Sequence, residues 1–454
     1  MKFLFKKAAV IALIAAFSMC TTTDENLVDP QVNAAELVFE KDNSFDTKSV
    51  PIKGQYIVTL KEGVLPSPTT FTKGLANSKQ NYLNHIDRTL RNLKAKAKGA
   101  DGFKFDTEKI QSVFNFAFDG FVVNLTDEEV AELLKDKRVK SIEQDRLVTL
   151  APPPGKGPGN GGGGGDDGGG GSNSQQVPYG IARVGGFADG TGKTAWVIDS
   201  GIDLDHPDLV VDVARSISFT GDNDPNDGNG HGTHVAGTIA AVDNSIGVVG
   251  VAAGASVVSV KVLGNDGSGQ FSWTVQALDY VAAVGNTGDV ANMSLGPSSR
   301  FTDSATDNAT AGLGATGVRV TIAAGNSYDD CAFYSPARTN HPNVFTISGI
   351  GEQDVIYWSS NYGSPVDYAA PGVDVLSTVP GGYDTFSGTS MAAPHAAGVI
   401  LLGSYTSDGV RLGGYFQTKG RRLTGNYSPT NIYGSKSVYR DDPDGVDDPI
   451  IVRN

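Results

Sequence analysis

Gly388-Thr389-Ser390-Met391-Ala392-Ala393-Pro394 places a serine where a small-residue turn runs into a helix-forming stretch. The turn is Phe386-Ser387-Gly388-Thr389, and the helical run continues through His395-Ala396-Ala397. A helix N-terminus leaves backbone N–H groups unpaired and carries the positive dipole end, so negative charge developing there is stabilised. Acyl transfer by a serine nucleophile needs that setting, because its tetrahedral intermediate is an oxyanion. Taken alone, Ser390 reads better as an ordinary helix N-cap, and two further stretches overturn that reading.

The first is Thr194-Ala195-Trp196-Val197-Ile198-Asp199-Ser200-Gly201-Ile202. An apolar run ending in an acid and a glycine reads as a buried parallel strand that presents Asp199 at its C-terminal end. Open α/β sheets place their chemistry at that end of their strands. The second is Gly230-His231-Gly232-Thr233-His234-Val235-Ala236-Gly237, where a histidine opens a small-residue helix. Asp, His, Ser in that order is the triad order of subtilisin.

The chain resembles the subtilisin-family serine proteases, in the branch of subtilisin and proteinase K. The likeness continues through 231–263, Asp266-Gly267-Ser268-Gly269-Gln270-Phe271-Ser272-Trp273, Asn292-Met293-Ser294-Leu295-Gly296 and Ala323-Ala324-Gly325-Asn326, all in the family's order. It covers 175–402, and several motifs in register are far more specific than one. It implies an α/β fold with a doubly wound parallel sheet. Alternating signals agree, with strands expected at 195–198, 257–262, 290–293, 318–323 and 344–348, and helices at 233–242, 272–284 and 389–402.

The implied function is a serine endopeptidase with Asp199, His231 and Ser390 as triad. His231 titrates in the range needed to take and return the Ser390 proton. Asp199 would orient the imidazole and stabilise its charged form. Asn326 would donate to the oxyanion beside the Ser390 N–H. By the same resemblance, Ser294, Leu295, Gly296 and Gly267, Ser268, Gly269 would pair with an extended peptide. Phe271 would line a pocket several residues upstream of the cut bond and Tyr334 the base of the primary pocket, which implies an apolar preference.

The resemblance also implies structural calcium. Gln175, Asp208, Val242, Asn244, Ile246 and Val248 match a tight site, all supplying oxygen ligands. Pro342, Val344 and Asp367 match a weaker one. His234 has the bland reading of a packed structural histidine. As an HxxH pair, His231 and His234 raise a metal-dependent hydrolase as the alternative, without an acidic base or third ligand at convincing spacing. A catalytically silent surface lipoprotein is the other alternative, and no triad residue is missing.

The 454 residues carry a formal charge of −14, which argues against nucleic acid or an anionic membrane surface as partner. Substrates and the chain's own propeptide are the expected partners, with the enzyme itself a monomer. Lys2, Lys6 and Lys7 precede an apolar run over 8–19, too short to span a bilayer, as in a secretory signal peptide. Cys20 stands where a bacterial lipoprotein signal places its lipidated cysteine, although Met19 replaces a usually smaller residue. The expectation is a secreted or surface-held bacterial protein, lipid-anchored before maturation. Two cysteines, one in the leader, leave no disulfide framework. Relatives resembling proteinase K often bridge the Cys331 position to one that is Pro365 here, which implies a free thiol.

Upstream of the protease, strand signals at 55–60, 113–118, 121–125 and 139–143 and helix signals at 79–98 and 126–134 give a β-α-β-β-α-β order. Asp119-Gly120 reads as a tight hairpin turn, and Thr126-Asp127-Glu128-Glu129 as a capping box. This ferredoxin-like α+β unit resembles the inhibitor-type propeptide of subtilisins. The expected organisation is a lipoprotein-type signal peptide (1–20), a polar tether (21–52), the propeptide (53–150), a Pro/Gly-rich linker (151–174), the catalytic domain (175–412) and an acidic C-terminal extension (413–454). Relatives cut shortly after a segment like Glu143-Gln144-Asp145. Pro152 disfavours the bond after Ala151, so Leu150–Ala151 is the expected cut.

Overall fold

The computed structural model describes residues 49–66, 68, 78–96, 102–150, 174–410, 444 and 448–454. The chain divides into two units, Met1–Phe39 and Glu40–Asn454, and every described residue belongs to the second. The leader, Cys20, the tether as far as residue 48, Ala151 and the glycine run lie outside the described residues, whereas the last two tether residues already belong to a strand, Pro51–Leu60.

The N-terminal part follows the expected order: β1 (Pro51–Leu60), α1 (Lys79–Lys96), β2 (Ile110–Phe114), β3 (Gly120–Asn124), α2 (Asp127–Leu133) and β4 (Val139–Thr149). Its antiparallel sheet runs β4-β1-β3-β2 over an apolar core of Val58, Val113, Phe121, Val123 and Leu133. Thr126 forms the capping box read in the sequence, its hydroxyl accepting from Glu129 N–H while Glu129 accepts from Thr126 N–H. The tight hairpin is corrected: β2 ends at Phe114 and β3 begins at Gly120, so 115–119 form a longer loop. The backbone N–H groups of Asn115, Phe116 and Ala117, which a longer strand would have used, all donate to the Asp279 carboxylate.

The rest is a doubly wound α/β layer. Its chief elements are β5 (Thr194–Asp199), α3 (His231–Ala240), β6 (Ser256–Lys261), β7 (Ser268–Gln270), α4 (Phe271–Val284) and β8 (Val290–Met293). These are followed by α5 (Ser304–Ala315), β9 (Arg319–Ala323), β10 (Val344–Ile350), β11 (Val366–Pro371), β12 (Val375–Val379) and β13 (Gly382–Phe386). The last are α6 (Thr389–Leu402), β14 (Tyr405–Val410) and β15 (Pro449–Arg453). The central sheet is ordered β14-β15-β11-β10-β9-β8-β5-β6, parallel from β15 to β6. Both faces are covered, which is why β5 is apolar over 195–198: Trp196 and Ile198 enter one core, Ala195 and Val197 the other.

The C-terminal expectation is also corrected. Part of the expected C-terminal extension belongs to the catalytic sheet: β15 adds to the sheet edge beside β11, and Ile450 and Ile451 are fully buried. An open parallel edge with apolar neighbours stabilises a strand there. Asp448 is buried there and accepts from Ser348 Oγ at 2.7 Å. Among the described residues, no helix is long and apolar enough to cross a membrane.

Candidate active site

Asp199 ends β5, fully buried, and His231 opens α3. His231 Nδ1 lies 2.8 Å from Asp199 Oδ1, an oxygen that also accepts Ser200 N–H at 2.7 Å. This approach requires Gly232, since a Cβ there would stand 2.1 Å from the Gly201 carbonyl. Burial pulls the His231 imidazole down, but the Asp199 charge and hydrogen bond, with the Asp227 charge, outweigh it and hold the imidazole above its ordinary range. His234 is different. Its Nε2 meets the Val375 carbonyl at 2.9 Å, its ring stacks on Phe386, and burial pushes it down to about 3. The two histidines are therefore committed to separate partners and do not converge as a metal pair.

Ser390 is the second residue of α6, half-buried, as the turn-to-helix reading requires. Pro394 lies inside this helix and has no N–H to give the Ser390 carbonyl. That carbonyl accepts the Ser294 hydroxyl instead, at 2.8 Å, tying the serine turn to the Ser294 segment. Ser390 Oγ rests 3.3 Å from the Ser294 carbonyl. Asn326 sits beside this turn, where its Oδ1 accepts both Thr389 N–H (2.9 Å) and Thr389 Oγ1 (3.0 Å). With the oxygen so held, the amide NH2 is left for another acceptor.

Ser294, Leu295, Gly296, Ala323, Asn326, Tyr334 and Ser390 line one pocket, and Leu150, which follows β4, lines it too. Tyr334 is held by its hydroxyl on Asp329, itself paired with Arg300. The strand leading to Leu150 explains how it arrives. β4 pairs antiparallel with β7, Leu147 against Gln270, Val148 against Gly269 and Thr149 against Ser268. Leu150 N–H then donates to the Gly267 carbonyl at 2.9 Å. Gly269 is required, because a Cβ there would meet the Val262 carbonyl at 2.4 Å. Phe271 lies 5.2 Å from Phe301, in the same apolar cluster as Val148.

Two helix N-termini are capped across this interface. Asp145 of β4 accepts Ser272 N–H at α4, and Glu143 accepts Ala305 N–H at α5. These contacts and the Asp279 cradle were not anticipated. An acid within the apolar run Phe271–Val284 was the available signal.

Around the expected tight metal site, Gln175 Nε2 lies 2.6 Å from the Val242 carbonyl and 3.2 Å from that of Val248. Asn244 Nδ2 lies 2.7 Å from Asp208 Oδ1, and Ile246 N–H donates to Asn244 Oδ1. At the expected weaker site, Asp367 accepts Thr346 N–H, and burial pushes its carboxyl up to about 6. Cys331 is buried as a free thiol.

Comparison with known proteins matches residues 190–404 to the subtilase family and 55–151 to the peptidase inhibitor I9 family. Subtilisin amylosacchariticus from Bacillus subtilis subsp. amylosacchariticus is 35% identical over 342 residues, covering 72% of this chain and 81% of its own. The chain belongs to the subtilase family. It is a serine endopeptidase carrying an inhibitor-type propeptide. M-protease from Shouchella clausii (strain KSM-K16) is 39% identical, with 70% of this chain and 77% of that protein covered. A solved cold-adapted subtilisin-like serine proteinase is 38% identical over 51% of this chain and 85% of its own, with a TM-score of 0.42.

Proposed function

We propose that this subtilase is made as an autoprocessed zymogen, exported, and cleaves proteins with an apolar primary preference through Asp199, His231, Ser390 and Asn326. The observation that carries this reading is the β4 strand: it lies along β7 as a substrate would and ends with Leu150 among the residues around Ser390. Ser390 Oγ would leave its long contact with Ser294 and pass its proton to His231 Nε2, since Nδ1 is engaged by Asp199. Asp199 holds the ring and balances the imidazolium. The Asn326 amide and the Ser390 N–H, at the start of α6, would meet the oxyanion. The imidazolium then protonates the leaving amine, and water repeats the sequence on the acyl-enzyme. A serine-directed phosphonate is expected to abolish hydrolysis, with no immediate effect of a zinc chelator. The reverse result selects the metal-dependent alternative.

The proposed domain limits follow the expected ones, with the catalytic unit, which already contains β14, extended to include β15. Cys20 lipidation is kept as a proposal, as is the first cut at Leu150–Ala151. Calcium is proposed as a structural ion. The donors around Gln175, Asp208, Val242, Asn244 and Val248 already gather within hydrogen-bond distances, and turning the two amides would present oxygen instead of nitrogen. Ile246 would add its carbonyl from the same loop. A bound calcium ion would offset the Asp208 charge, whose carboxyl burial holds above its usual range. The Pro342 and Val344 carbonyls with Asp367 would form the weaker site.

Strong chelation is expected to lower the thermal midpoint of the mature enzyme by about 5–10 °C and to speed autolysis. This follows from roughly 3 kcal/mol of stabilisation at a hundredfold excess over Kd. An unchanged midpoint, with no calcium in the purified protein by elemental analysis, removes the calcium proposal.

A further inference from the structure

Asp227 is a buried acid, 4% exposed, to which the mechanism above assigns no task. Its Oδ1 accepts Ser200 Oγ at 3.0 Å and the backbone N–H groups of Asn229 and Gly230, each at 2.9 Å. Its Oδ2 accepts Thr233 N–H at 2.9 Å and Thr233 Oγ1 at 2.6 Å. Every one of these is a donor, so the arrangement is that of a carboxylate. Gly230, the residue before α3, has no side chain to cap the helix, and Asp227 does so from outside.

Its contacts run in two directions. Thr233 and the N–H groups of Asn229 and Gly230 belong to the segment that carries His231. Ser200 directly follows Asp199, and its hydroxyl also accepts Gly232 N–H at 3.0 Å. Asp227 therefore joins the end of the Asp199 strand to the start of the His231 helix. Lys261, fully buried and opposite Asp199 in β6, closes the group from below. Its Nζ donates to the carbonyls of Ser200 (2.7 Å) and Asn226 (3.0 Å) and to Asn265 Oδ1 (3.0 Å).

The charges explain why an anion is used. The N-terminal dipole of α3 disfavours a cation on its first residue, yet a general base there must become one. Around His231 lie Asp199 on β5, Asp227 before the helix, Lys261 on β6 and the neutral His234 on its own helix, with Asp384 of β13 beyond it. Two buried anions and one buried cation leave a single negative charge, which the imidazolium cancels.

Resting on the triad reading, we propose that Asp227 is a positioning residue for the general base. It locks the His231 helix against the Asp199 strand and supplies the second negative charge against which the imidazolium forms. A plain structural cap would affect only stability.

The test uses mature enzyme from the full chain, processed where necessary by a trace of active protease, with active sites counted by a phosphonate. Asp227→Asn is expected to lower kcat per titrated site by roughly a hundredfold with KM little changed, as displacement of a catalytic group does. The acid limb of its kcat/KM profile should move to lower pH, because a neighbouring anion is gone. Ser200→Ala cuts the link but keeps the charge, so kcat should fall at least about tenfold while that limb stays in place. Asp227→Asn with normal kcat and an unmoved limb overturns the proposal. If that variant does not fold, Ser200→Ala with normal kcat overturns it alone. Failure of the triad reading would show separately, as activity retained by His231→Ala.

Discussion

Replacing Ser390 by alanine is expected to reduce peptide hydrolysis by on the order of a millionfold, the scale known for a subtilisin nucleophile, and to leave the chain uncut. The fold should survive. Ser390 Oγ makes only a 3.3 Å contact to the Ser294 carbonyl, and that carbonyl lies at the half-open pocket wall. The bond that ties α6 to the Ser294 segment uses the Ser390 carbonyl, which alanine keeps. Because covalent attack and the first cut use one hydroxyl, both should vanish together. The variant should run as a single species with residues 53–150 still joined to the catalytic domain. The active parent should begin at or after Ala151. A variant that retains activity within tenfold, or that still cuts itself, removes Ser390 from its proposed role.

The grip of the propeptide on the enzyme is expected to weaken by at least about a hundredfold between about pH 5 and pH 7, tenfold per unit for each linked proton. Two carboxyl groups meet at the N-terminus of α5, one from each side of the interface. Glu143 accepts Ala305 N–H at 2.9 Å, and Asp303 accepts Thr306 N–H at 2.8 Å and the Thr306 hydroxyl. The two carboxyls thus act on one helix end, and Glu143 bears on the protonation of Asp303. Burial, and then the Glu143 charge, hold Asp303 well above the usual carboxylate range. Asp279 follows the same direction: burial under the 115–117 loop pushes it up to about 7, against the three N–H groups that favour its anion.

Separation would strip the propeptide cover from Asp303 and Asp279 and return them toward the ordinary carboxylate range. The complex thus holds protons that its parts release. Its stability is complete below about pH 4 and is lost as pH rises through the raised values in the complex. The measurement is released activity of the cut but still associated complex as a function of pH. Tighter inhibition at higher pH would contradict the assignment, as would an Asp303→Asn variant whose pH dependence equals that of the parent.

Much of the fold was legible because its signals are local. β5 announces itself by an apolar run closed by an acid, and α6 by a small-residue run after a turn, so Asp199 and Ser390 were each found on the right kind of element. The order of strands and helices in the propeptide followed from period and capping, down to the Thr126 box. Where the reading failed, a distant group had taken over local choices. Asp119-Gly120 has the chemistry of a tight turn, yet the loop opens because Asp279 collects three of its N–H groups. Ile450-Ile451-Val452 has the β-branched composition of a strand despite its acidic surroundings, and the free edge of β11 decides where that strand is buried.

The site divides in the same way. The sequence by itself determined at which ends of which elements Asp199, His231 and Ser390 stand, because residue type and hydrophobic period act over a few neighbours. Only the tertiary structure decided how those ends meet. The register that sets Lys261 opposite Asp199, the Ser200 hydroxyl on Asp227, and the Ser294 hydroxyl that replaces the missing Pro394 N–H all join segments far apart in the chain. A buried carboxylate or carbonyl takes whichever donor the packed fold brings to it, since leaving it unpaired costs more than any local preference; that donor is chosen by sheet register and helix docking, which neighbouring residues do not encode.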